Sequence, residues 1–158
     1  MQSINILFPR TIDNTIHGSR WPYFIFSIYT VISTVRSLIH LLAPDGGAGS
    51  IAGMNLDVAG RDEIVFTFAL WGSSQLLLSF IQILACLRYR ALIPFLYLLL
   101  ITETVLRMLI GHLKTANFEH TPPGAIGNYV ILPFSVIMLL ICIFTAKVPK
   151  RYSTNKLS

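Results

Sequence analysis

The stretch from Ala91 to Leu113, ALIPFLYLLLITETVLRMLIGHL, is long and apolar enough to cross a bilayer, yet it holds Glu103 and Arg107 inside it. A helix of this length rises about 34 Å at ~1.5 Å per residue, against a hydrocarbon core roughly 30 Å thick, which puts Glu103 near the midplane. An ionisable group at that depth costs on the order of 2.5–3.5 kcal/mol on insertion scales, so Glu103 must face protein or a polar cavity and have a partner. Any fold for this chain has to supply that partner. Arg107 follows four residues later, the favourable order for a helical Glu–Arg pair.

Three further windows meet the same criteria: Trp21 to Leu42, Ile64 to Cys86 and Tyr129 to Ala146. Composition agrees, because 54% of the residues are hydrophobic and only 12% charged, whereas soluble domains carry roughly a quarter charged residues. The expected fold class is all-α, a four-helix transmembrane bundle. Residues 1–20 form an N-terminal cytoplasmic or interfacial segment, 21–146 the four-span membrane domain and 147–158 a basic polar tail. Trp21, Tyr23 and Tyr129 sit at span ends, where amphipathic rings favour the headgroup level. Pro94 and Pro133 fall early in the third and fourth spans, where a missing N–H matters least. Met1 to Phe8 has no basic n-region, and Pro9-Arg10 ends its short apolar run, so no cleaved leader is expected.

The lysines and arginines set the expected orientation. Arg10, Arg20, Arg88, Arg90, Lys147, Lys150, Arg151 and Lys156 fall on one side of such a bundle, and only Arg61 and Lys114 on the other. Eight against two predicts both termini on the cytoplasmic side, with a bacterial inner membrane or an equivalent energy-transducing membrane as the expected location. The formal charge of +5 belongs to these span ends and headgroups. No lysine-rich face with interleaved aromatics exists to bind nucleic acid.

The loop APDGGAGSIAGMNLDVAGRDE, Ala43 to Glu63, lacks the GK[ST] ending of a phosphate-binding loop and is expected to form flexible turns over the bundle. His120-Thr-Pro-Pro-Gly is expected to be a turn in the next outer loop. Cys86 and Cys142 lie in apolar spans with no CxxC pair and read as inert buried thiols.

Polar residues recur on the spans at helical spacing. Ser33, Arg36, Ser37 and His40 share one face of the first; Gln75, Ser79 and Gln82 share one face of the second; Ser135, Met138, Cys142 and Thr145 share one face of the fourth. Lipid offers such groups no partners, so the stripes should converge inside the bundle. Measured from span centres, Arg36 lies about 6 Å and Arg107 about 7 Å toward the outer side, one layer with Glu103. Two arginines against one glutamate leave an excess positive charge. Asp62 and Glu63, at the outer end of the second span, are the chain's own candidates to balance it, and an anionic or carbonyl-bearing ligand is the other. The candidate polar cluster is therefore Arg36, His40, Asp62, Glu63, Gln75, Glu103 and Arg107.

His40, His112 and His120 are expected near the same face, but no HxxxH or HxxE spacing fixes a metal on one turn. No nucleophile elbow, HExxH, GxGxxG or CxxCH occurs. The sequence names no catalytic residue and requires no cofactor. It reads as a non-catalytic accessory or assembly subunit of a larger membrane complex, or as a binder of a lipid- or quinone-like ligand. The alternative is a membrane-embedded enzyme or proton-coupled transporter using Glu103 with Arg36, Arg107 or His40, although the two halves show no internal repeat of the kind transporters use.

Several short motifs carry a family likeness: Leu42-Ala-Pro closing the first span, Ile51-Ala-Gly-Met in the loop, Arg61-Asp-Glu leading into Phe68-Ala-Leu-Trp-Gly72, and Leu106-Arg-Met-Leu-Ile-Gly111 closing the third span. Over roughly residues 21 to 146 the chain resembles the DoxX-like group of small four-span membrane proteins. That resemblance implies a four-helix membrane bundle, sometimes an accessory subunit of quinone-linked oxidoreductases, and brings no catalytic residue with it. The extended N-terminal segment, the long glycine-rich loop and Arg36 have no counterpart in that pattern.

Overall fold

The computed structural model describes residues 2–115, 118 and 120–146, so the tail residues Lys147, Lys150, Arg151 and Lys156 lie outside the described residues. The regular structure of the described residues is all helix, with no strand. A short helix, α1 (Gln2–Leu7), precedes four long ones: α2 (Trp21–Leu42), α3 (Arg61–Arg88), α4 (Ile93–Leu113) and α5 (Pro123–Thr145). All four long helices have the length and apolarity to cross a membrane. Their outward faces carry exposed residues such as Phe24, Val31, Phe66, Leu77, Phe80, Leu106, Leu109, Val130 and Phe144. A surface of that kind suits lipid and not water, and the chain is a multi-pass membrane protein.

Two helix starts differ from the sequence expectation by three residues or more, and the other ends by two or fewer. α3 starts at Arg61 instead of Ile64, because the charged triplet Arg61-Asp62-Glu63 forms the first helical turn with the acids at its N-terminus, where the helix dipole favours them. α5 starts at Pro123 instead of Tyr129, so the helix takes up part of the expected turn. Proline at the first position of a helix sacrifices an N–H that had no partner anyway.

The bundle is two antiparallel hairpins. Along α2 and α3 the contacts run in opposite senses: Thr30 with Cys86, Ser33 with Ser79, Arg36 with Gln75, and His40 against Gly72. Gly72 is what permits the last approach, since a Cβ there would stand 2.8 Å from the His40 Cβ and 2.9 Å from its carbonyl carbon. α4 and α5 form the second hairpin, and each hairpin packs more extensively within itself than against the other.

The hairpins join at one end. Tyr23 and Phe26 of α2, Ala85 of α3, Ile93, Leu96 and Tyr97 of α4, and Met138, Leu139 and Cys142 of α5 make the apolar core there. The Tyr97 ring meets Phe26 edge-on at 5.0 Å, and its hydroxyl donates to the Pro22 carbonyl at 2.7 Å, so this buried tyrosine leaves no polar group stranded. The N-terminal segment closes this end from below. Ile6 is buried, Phe8 packs on Phe95 with ring centroids 5.5 Å apart, the Ala91 amide donates to the Asp13 carbonyl at 3.2 Å, and the Ser19 amide donates to the Thr145 hydroxyl at 2.9 Å.

The opposite end is covered by the 43–60 loop, which is ordered by local bonds. Both Asp45 carboxylate oxygens accept backbone amides, from Gly47 at 2.8 Å and Ser50 at 2.7 Å. Those two bonds hold the Asp45 carboxyl down at about 2. Gly53 has φ +68°, and a Cβ there would lie 2.5 Å from the His120 ring, so the two loops at this end touch through a position only glycine fits.

Candidate functional site

Away from the apolar core, the inward stripe of α2 turns polar: Ser33, Ser37 and His40 are buried and Arg36 half-buried. Arg36 Nη2 donates to Gln75 Oε1 at 3.5 Å, Gln75 Nε2 donates to Glu103 Oε1 at 3.0 Å, and Arg107 Nη1 stands 3.7 Å from that same carboxylate oxygen. A continuous polar chain thus runs from α2 through α3 to α4. Gln75 is its middle link, since an amide alone among these side chains can accept from a guanidinium and donate to a carboxylate at once. Glu103–Arg107 is the one ion pair among the described residues.

Aromatic rings brace the α2 end. The Arg36 guanidinium carbon lies 5.5 Å from the centre of the Trp71 ring, within reach of a cation–π attraction. His40 packs on the same indole at 4.7 Å and on Phe68 at 5.8 Å, while its Nδ1 donates to the Gly46 carbonyl at 2.7 Å. His40 therefore fastens the loop to the bundle and stands one aromatic ring away from Arg36.

The other expected members lie elsewhere. Asp62 and Glu63 are exposed and reach neither arginine. Asp62 precedes Gln75 by 13 residues on α3, about 20 Å along the axis at ~1.5 Å per residue, which puts it well outside the layer of the polar chain. His112 is exposed, and His120 is exposed at its contact with Gly53. Among the described residues no three His, Cys, Asp or Glu side chains gather around a point that could hold a metal.

The chain is left with two cations and one anion. Two donors remain unmatched, for Arg36 Nε and Arg107 Nε are both buried without a partner. A buried donor in this condition marks a place where a ligand gains most by arriving.

Three cavities border the chain. A groove of ≈ 400 Å³ between α2, α4 and α5 is walled by apolar residues including Ile28, Ile32, Leu100 and Phe134, with Arg36, Tyr29, Ser33 and Ser135 as its polar members. On the other side of α4, a groove of ≈ 370 Å³ between α3 and α4 holds Gln75, Gln82, Thr102 and Glu103 among leucines. A wider basin of ≈ 960 Å³ at the loop end takes in Trp71, Arg107, Lys114, His120 and Thr121. Sequence reasoning missed Trp71 and Tyr29 as members of the site. Trp71 stands four residues before Gln75, and Tyr29 four before Ser33 and seven before Arg36, so helical spacing extended to aromatic residues is the signal that would have found them.

The arrangement can hold a charge or a polar head inside the membrane. No protein-family model, no curated protein and no solved structure matches this chain.

Proposed function

We propose that this protein is a non-catalytic membrane protein that binds an amphiphile with an anionic or carbonyl-bearing head, of the fatty-acid, lipid-headgroup or quinone class, in the groove between α2, α4 and α5. The observation that carries this reading is the Arg36 Nε, buried and unpartnered at the polar part of an otherwise apolar groove. An aliphatic or isoprenoid tail matches the isoleucine and phenylalanine walls. A carboxylate, phosphate or quinone carbonyl matches the free guanidinium donor. The net positive charge of the polar chain selects for an anion or an electron-rich oxygen over a cation.

In this reading the protein serves as an accessory or assembly subunit of a larger membrane complex, and kinship with the DoxX-like group, some of whose members serve quinone-linked oxidoreductases, would be consistent with a quinone-linked one. The basic residues at span ends support a topology with both termini on the cytoplasmic side, and the proposed location is a bacterial inner membrane or its equivalent.

Trp71 supplies the readout, because it rests against Arg36 and only one other tryptophan, Trp21, is present in the chain. In a Trp21→Phe background, oleate titrated into the detergent-solubilised protein is expected to change Trp71 emission saturably. Arg36→Gln should weaken that binding by about tenfold or more, the equivalent of one lost hydrogen bond to a charged group. Equal oleate affinity with and without Arg36 would overturn the proposal.

A further inference from the structure

The groove between α3 and α4 has the opposite hydrogen-bonding character. Gln82 is only 4% exposed, its Oε1 is buried without a partner, and among the described residues no group bonds its amide. Exchanging the two ends of an amide side chain leaves the same deficit, an unmatched acceptor and unmatched donors. Gln82 lines this groove together with Glu103. Gln75 and Arg107 both approach the Oε1 atom of that carboxylate, and among the described residues no hydrogen bond goes to Oε2. Thr102 donates its hydroxyl proton to the Leu98 carbonyl at 2.9 Å, which leaves its oxygen available as an acceptor. The remaining walls are Leu78, Leu96, Leu99, Leu100 and Leu106.

We infer that this groove is a second intramembrane site and that it takes a neutral, hydroxyl-bearing lipid, a long-chain alcohol in the simplest case. A hydroxyl is the smallest group that both donates and accepts, so it satisfies the Gln82 amide in either orientation, donating to its oxygen or accepting from its nitrogen, in a groove that Glu103 also lines. An anionic head is disfavoured by that carboxylate oxygen, which would face it. An ammonium head is disfavoured by the surplus cation of the polar chain. The chemistry therefore separates the two grooves on either side of α4: donor-rich at Arg36, acceptor-rich at Gln82 and Glu103. The inference does not depend on the Arg36 groove being occupied.

The test uses the full chain in lipid nanodiscs with oleyl alcohol and a diazirine-bearing oleyl alcohol as probes. Oleyl alcohol should protect the protein against thermal unfolding in a saturable manner. Gln82→Leu, which keeps the bulk and removes the unmatched amide, should weaken that protection about tenfold, while Gly111→Ala, where an added Cβ meets nothing within 4 Å, leaves it unchanged. Photolabelling of the wild-type protein should fall on α3 and α4, at Leu78, Leu99 and their neighbours, and should be competed by unlabelled oleyl alcohol but not by octadecane. Labelling independent of the Gln82 stretch, or competed equally by octadecane, shows tail occupancy alone and overturns the inference. So does an alcohol affinity indifferent to Gln82→Leu. Because oleate binding is read separately through Arg36, either site can fail without the other.

Discussion

Neutralising Glu103 should do more harm than removing the whole ion pair. Its carboxylate stands 3.7 Å from Arg107 Nη1, and at an effective dielectric of about 20 that separation corresponds to roughly 4.5 kcal/mol of attraction. Glu103→Gln preserves size and can still accept the Gln75 bond, so the loss is almost entirely electrostatic. It leaves Arg36 and Arg107 as uncompensated cations within the spans, and breaking one partner of a buried pair costs about 3–5 kcal/mol. We expect about 3 kcal/mol, at the low end because water in the loop-end basin can reach Arg107. The double variant Glu103→Gln with Arg107→Gln removes the stranded charge and should recover at least half of that loss. Steric-trap or SDS-unfolding titrations in bicelles measure Glu103→Gln, Arg107→Gln and the double variant against the wild type. If the two single substitutions are additive in the double variant, or Glu103→Gln costs under about 0.6 kcal/mol, the ordinary value for a polar contact between membrane helices, the polar chain has no electrostatic role and the reasoning fails.

Two further outcomes follow from local geometry. Gly72→Ala places a methyl group 2.8 Å from the His40 Cβ and must push α2 and α3 apart, so it should cost about 1–3 kcal/mol in the same unfolding titration; Gly111→Ala, where a Cβ meets nothing within 4 Å, is the neutral control. The Asp45 carboxyl is lowered to about 2 by the amides of Ser50 and Gly47, from about 3.9 in an unfolded chain. Its contribution is therefore complete above about pH 4 and lost as pH falls toward 2; hydrogen exchange of the Gly47 and Ser50 amides should accelerate over that interval, and Asp45→Asn should flatten the pH dependence.

The membrane-spanning architecture was legible because hydrophobic length is a strong signal: a window of some 20 apolar residues has few other uses. Helix ends were less so. Arg61, Asp62, Glu63 and the PGAIGN stretch after Pro122 carry no apolar signal, although backbone hydrogen bonding runs through them. The inward stripes were readable from periodicity, and Ser33, Ser37, His40, Ser79, Gln82, Ser135 and Cys142 are all buried. Pairing across helices was not readable. Depth counted from span centres brought Arg36, Glu103 and Arg107 into one layer, but the choice of Gln75 as their link depends on how α2 and α3 are rotated against each other, which no single helix encodes. The same ignorance made Asp62 and Glu63 look like partners for the arginines, when the added turn of α3 carries them beyond the bundle's polar layer. The loop was read as flexible turns; its order comes from Asp45, His40 and Gly53, each acting through contacts that sequence spacing does not reveal.

The bond from the Ser19 amide to the Thr145 hydroxyl joins positions 126 residues apart, and this has a consequence for biogenesis. At about 5–20 residues per second of synthesis, the opening segment waits roughly 6–25 s before its docking surface on the last helix has been made. During that interval Phe8 can already reach Phe95 on α4, but the seam between Ser19 and Thr145 cannot form until α5 is made, so the floor of the bundle is sealed in two steps, first against the third span and last against the fourth.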